Sequence, residues 1–204
     1  FTTNEIKNKI EKMINIKAEK IKYFSYIKLK LEEKSKNYTD EIINDNFKDE
    51  EMSKLVEKSW GNHKTIIDFL KYAKEKGKYQ TAIDLLSEVS DKDLRDVSLA
   101  VLKDNLDNSV KGSGDIYNAY VLNPRVSNEM LVPYKKELSS YFNDEIKEDL
   151  KKKPQALVDW VKDSIKINDN LNARSIVMAP TSVLRHRITD SRSRNIFFVS
   201  MARS

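Results

Sequence analysis

The chain has 204 residues, 39% apolar and 34% charged, with four Gly and four Pro: long enough to bury a real core, too poor in turn-formers for a many-stranded sandwich or barrel. Its net charge of +5 divides into two basic ends, +5 each over 1–38 and 174–204, and a middle at −5; polar helix faces account for this without a nucleic-acid partner. With no Cys, disulfides, thiolate metal sites and cysteine nucleophiles are excluded, and two His (His63 and His186) outside any ligand spacing imply neither zinc nor another cofactor.

In chain order, Thr2 with Glu5 forms a capping box. Ile6, Ile10, Met13, Ile14, Ile21, Phe24, Ile27 and Leu31 then recur at three and four residues, which predicts one long amphipathic helix over 2–35. Its apolar stripe is a packing or protein-partner surface. A polar break at 37–49 precedes short helices at 50–60, 62–76 and 79–88, the second stopped by Gly77 as a C′ residue. Ser90, with Asp93 three residues on, starts a further helix to about Leu106. Asp107 to Asp115, containing Gly112 and Gly114, is the expected domain boundary.

Beyond it, Ile116 to Leu122 reads as irregular or briefly extended, and Asn123-Pro-Arg125 forces a turn. Helices are expected at 133–142 and 143–153, and another opens at Pro154 with Leu157, Val158, Trp160, Val161 and Ile165 on its apolar face. Trp60 and Trp160 both sit on apolar helical faces and read as core. Arg174 to Met178 is β-branched and reads as extended. Thr181 caps a short helix to about Arg187, and the last helix begins around Asp190 to Ser193. The expected organisation is a long helix over 1–36, a helical array over 37–110 and a third unit over 111–204. No apolar run is long enough to cross a membrane. Because the chain starts at Phe1 rather than Met, an upstream segment, which could have been a signal peptide, is expected to have been removed.

The chemistry-bearing stretch is Asp190-Ser-Arg-Ser-Arg-Asn-Ile-Phe-Phe-Val-Ser-Met-Ala-Arg203. A helix start has free N–H groups and a dipole that favour anions or nucleophiles. Asp190, Ser191 and Ser193 are good N-cap residues, and Arg192 and Arg194 suit a carboxylate or phosphate ligand or an internal acid. A serine nucleophile needs a base within hydrogen-bond reach, and only His186 is near in sequence.

That stretch resembles the nucleophile helix of the transglutaminase-like superfamily, and is similar to a group of large Bacteroidetes proteins with a helical region in front. In the superfamily the helix begins with a Cys, has an apolar body and ends in an Arg. Here Arg203 matches the Arg, and the Cys position falls on Ser191. Ser59-Trp-Gly-Asn62, Ser90-Asp-Lys-Asp-Leu-Arg-Asp96, Asn123-Pro-Arg-Val126 with Asn128-Glu129, and Leu157-Val-Asp-Trp-Val161 also resemble that group, so the likeness runs from about 50 to 204.

The resemblance implies a mainly α fold: a helical array leading into the first, helical part of a papain-like α+β domain, truncated before its sheet. It implies a cell-envelope or exported location. With Ser191 at the Cys position and the family's His and Asp expected beyond residue 204, the expected function is a non-catalytic protein binding a peptide or glycan. Asp190, Arg192, Ser193 and Arg194 would line that ligand's pocket. Two alternatives stand beside it: a hydrolase or acyl-transfer enzyme in full-length form, with Ser191 as nucleophile, and a helical interaction module acting through the 2–35 helix.

Overall fold

The computed structural model describes residues 50–172 and 176–204, together with residues 8, 10–12 and 30. The long helix expected over 2–35 and the break at 37–49 otherwise lie outside the described residues. Among those residues the fold is mainly helical, and no helix is long and apolar enough to cross a membrane.

The first core forms where helical periodicity is clearest. Helices α1 (Glu50–Ser59), α2 (His63–Glu75) and α3 (Tyr79–Glu88) bury the residues that recur at three- and four-residue spacing. Ile66, Ile67, Phe69, Leu70 and Ala73 of α2 and Ala82, Ile83, Leu85 and Leu86 of α3 are all at most 2% exposed. Each large side chain buried this way contributes about 1.5–3 kcal/mol. Gly77 stops α2 at φ +68°, with Lys78 N donating to Ala73 O at 2.8 Å and Gly77 N to Lys74 O at 3.0 Å. Those two bonds satisfy the last carbonyls of the helix.

Ser90 starts a helix as its sequence predicts, its Oγ accepting from Asp93 N at 3.2 Å. The helix does not run to Leu106, however. It is two: α4 (Asp91–Asp96) and α5 (Leu99–Asn108), separated by Val97 in extended conformation. Asn62 stabilises the break. From the turn after α1 its Nδ2 donates to Leu94 O and Val97 O, both at 2.9 Å, and Ser98 recaps the chain by accepting from Val101 N at 3.3 Å. Trp60, in the same turn, is half-buried at φ +50°, its ring covered by the Arg95 guanidinium at 3.9 Å.

The segment read as irregular or extended is helical instead: α6 (Asp115–Tyr117) continues as a π-helical stretch, Asn118–Leu122. Leu122 and Tyr117 pack against the first core, and Tyr117 Oη donates to Val110 O at 2.9 Å. The wider π turn places Leu122 inward while Tyr120 stays exposed.

The second core joins α7 (Lys135–Ser139), α8 (Asp144–Lys152), α9 (Gln155–Ser164), α10 (Pro180–His186) and α11 (Ser191–Ala202). Leu157, Val161, Val183, Leu184, Phe197 and Met201 bury its centre. Trp160 is half-buried, edge-on to Phe142 at 4.9 Å and 6.4 Å from Phe197. Thr181 does not cap α10. Pro180 opens that helix after Ala179, because the N–H that proline lacks is not needed there, and Thr181 lies buried within the first turn. Strands β1 (Lys166–Ile167) and β2 (Ile188–Thr189) pair in parallel, Lys166 opposite Ile188. Ile176 to Met178 carries no regular secondary structure; residues 173–175 of the expected extended passage lie outside the described residues.

One carboxylate links the cores. Asp104 of α5, 8% exposed, accepts from Tyr134 N at 2.8 Å, Lys135 N at 2.7 Å and Lys136 N at 3.0 Å. It thereby caps α7 from 30 or more residues upstream, supplying an acceptor that α7's own preceding residue does not.

Candidate functional site

Helix α11 begins with two serines of opposite character. Asp190 is the N-cap: its Oδ1 accepts from Ser193 N at 3.0 Å and its Oδ2 from Ser193 Oγ at 2.6 Å. Burial pushes the Asp190 carboxyl up, but the hydrogen bonds from Ser193 and neighbouring backbone N–H groups outweigh it and hold the pKa below the usual carboxylate value. Ser193 is fully buried, and its Oγ in turn accepts from Met178 N at 3.0 Å. Ser191 is exposed. Its Oγ and its N–H both donate to Asp169 Oδ1, at 2.8 and 2.7 Å. The carboxylate in that place orients the hydroxyl. Arg192 is exposed and Arg194 half-buried, and neither forms an ion pair among the described residues.

The other end of α11 is held by Arg203, 5% exposed. Its Nη1 donates to Arg125 O at 3.2 Å, and its Nη2 donates to Val121 O at 3.3 Å and to Asn123 O. Two of these carbonyls belong to the Asn123-Pro-Arg turn, and the third lies just before it. Beside them Lys135 is wholly buried, its Nζ donating to Ser109 Oγ and Val121 O, each at 2.6 Å. Burial, reinforced by the Arg203 charge and partly offset by Asp104, pulls the Lys135 pKa down to about 7.

Between the segments braced by the two ends of α11 lies an open cleft of about 850 Å³. One wall is α4 with Ser90, a second is the 125–131 loop, and the third is Ile176, Val177 and Ala179. Arg125 fastens the first two together: its Nε and Nη2 donate to the Asp93 carboxylate at 2.5 and 2.6 Å. Arg125 Nη1 also donates to Glu129 O. The Glu129 carboxylate, 3% exposed, closes its own loop by accepting from Val126 N at 2.7 Å and Ser127 N at 2.8 Å. Burial raises the Asp93 pKa, but Arg125's hydrogen bonds and charge, helped by Lys92, bring it below the ordinary value.

The charges left to meet a ligand are therefore Lys92 and Asp96, an exposed pair at 3.0 Å that solvent screens. Met130 and Ile176, 75% and 65% exposed, present apolar side chains from the loop and the third wall. Among the described residues no aromatic ring lines the cleft. Among the described residues no group of three or more His, Asp or Glu is placed to hold a metal ion.

Ser191, Arg192, Ser193 and Arg194, the residues singled out at the helix start, do not line this cleft, and neither does Asp190. Asp190 and Ser193 act one step behind it, by holding Met178 between the lining residues Val177 and Ala179. Met130, Leu131 and Ile176 lie outside the segments picked out by resemblance, because isolated apolar residues in irregular backbone carry no periodic signal. Asp93, Arg125 and Glu129 do fall within the short segments picked out by resemblance. Comparison with known proteins returned no matching family model, no matching curated protein and no matching solved structure.

Proposed function

We propose that this chain is a transglutaminase-like protein that binds an extended peptide in the cleft between α4, the 125–131 loop and residues 176–179, without acting on it catalytically. One observation carries the reading. Two segments that resemble the superfamily group, Ser90–Asp96 and Asn123–Val126 with Asn128–Glu129, converge on this cleft, and the Asp190–Arg203 segment braces two of its walls. The exposed apolar side chains of Met130 and Ile176 beside the exchangeable Lys92–Asp96 pair suit a polar backbone carrying apolar side groups. A glycan is the poorer fit, since sugar faces stack on aromatic rings and none of the described residues lining this cleft is aromatic. The absence of catalysis is supported by Ser191, whose hydroxyl is held by Asp169 rather than by an imidazole. That these helices lead into a papain-like α+β domain belongs to this proposal as well.

The test is selection of a displayed random peptide library on the protein, in parallel with a panel of soluble oligosaccharides. Enriched peptides should bind the double variant Met130→Asp with Ile176→Asp about tenfold more weakly. Both positions are exposed, so the variant should fold. Failure to enrich any peptide, or undiminished binding to the variant, would sink the proposal. Enrichment of oligosaccharides alone would replace it with the glycan reading.

A further inference from the structure

A second cleft lies against α11 and shares no described residue with the first. Its volume is about 280 Å³. Leu138 of α7, Phe142, Leu150 of α8, Leu157 of α9, and Phe198 and Met201 of α11 make its walls apolar. Among the described residues the charged side chains lining it are those of Lys147 and Lys151, one turn apart on α8, with no carboxylate side chain. The ammonium groups rest meanwhile on acids of their own helix: Lys147 on Asp144 at 3.6 Å, Lys151 on Glu148 at 2.6 Å. Exposed pairs at this spacing are weak and exchange readily.

We infer that this cleft binds a single-chain carboxylate amphiphile, with the chain between α8, α9 and α11 and the carboxylate on Lys147 and Lys151. Size and charge together select this ligand. A methylene takes close to the volume of a water molecule, roughly 30 Å³, so the cleft holds a chain of roughly eight to ten carbons. An amphipathic helix, about 10 Å across and needing anchors over two turns, does not fit in that volume. A neutral chain would gain the apolar contact and leave the lysines unused, and a cationic head would be repelled.

The experiment is calorimetric titration of the 204-residue protein with decanoate and with decanol, each below its micelle or solubility limit. Decanoate should bind one to one and about tenfold tighter than decanol. Lys147→Gln with Lys151→Gln should remove that advantage while leaving decanol binding as it was. Both lysines reach solvent, and circular dichroism should report an unchanged fold. Ala202→Phe, an exposed position that lines the cleft, should abolish binding of both probes by filling it. The inference is overturned if decanoate binding is non-saturable, if decanol binds as tightly, or if Ala202→Phe leaves decanoate binding intact.

Discussion

Arg203 donates to the main-chain carbonyl of Arg125 at 3.2 Å, while the guanidinium of Arg125 clasps the Asp93 carboxylate at 2.5 and 2.6 Å. Two arginines 78 residues apart thus form one chain of contacts from the end of α11, through a turn of the loop, to α4. The first fixes where the loop's backbone lies. The second uses that position to close the cleft.

Arg203→Met keeps much of the buried stem but leaves the Asn123 and Arg125 carbonyls without their side-chain donor, while Val121 O keeps Lys135 Nζ. Unmade buried hydrogen bonds of this kind cost about 1–3 kcal/mol each, less what water recovers, so a loss of about 3 kcal/mol is expected in urea unfolding. Amide exchange over residues 121–131 should quicken at the same time. A loss below about 0.5 kcal/mol would show that the guanidinium does not organise the loop.

Asp93→Asn removes one charge from a bidentate pair and should cost about 2–3 kcal/mol at neutral pH. The folded pKa of Asp93 lies below the unfolded value of about 3.9. Its contribution is therefore complete above about pH 4 and is lost as pH falls below that toward the folded pKa. Unfolding midpoints of the native and Asp93→Asn proteins should converge as pH drops from about 5 to 2; parallel curves would contradict the assignment.

Lys135 gives a rising limb in the alkaline range. In the folded protein its pKa is about 7, well under the unfolded value of about 10.4. Between those values the unfolded chain binds the proton and the folded chain does not, so stability should rise with pH over that window, by on the order of 4 kcal/mol. Tyr134, pushed up to about 12 by burial, acts above it. There the folded chain keeps the proton that the unfolded chain loses from about pH 10, so stability falls again. A maximum near pH 10 is expected from these two groups, and Lys135→Met should flatten the rising limb. A native limb already flat between about pH 7 and 10 would be inconsistent with a neutral buried amine.

The two serines of α11 separate cleanly by substitution. Ser193→Ala strips a donor from the Asp190 carboxylate and an acceptor from Met178 N–H, both in buried surroundings, and should cost about 1–3 kcal/mol. Ser191→Ala, on the exposed surface, should change stability by no more than about 0.5 kcal/mol. It should also leave peptide binding unchanged. Equal effects of the two in thermal unfolding would overturn the division of roles.

Periodic apolar residues in α2 and α3 identify the faces that become the first core, because a 3.6-residue repeat has only one buried side. Ser90, Asp190 and Gly77 mark helix ends because capping is settled within about one turn of chain. The sequence by itself thus determines a mainly helical chain with short elements and a polar start to α11. Tertiary structure alone decides that Asn62 stabilises the break at Val97, that Asp104 caps α7, and that Arg203 and Ser193 brace opposite walls of one cleft. The physical reason is common to all four. A buried polar group must find a partner somewhere, but which partner depends on what packing brings within about 3 Å, and no local pattern records a neighbour that lies roughly 15 to 80 residues away.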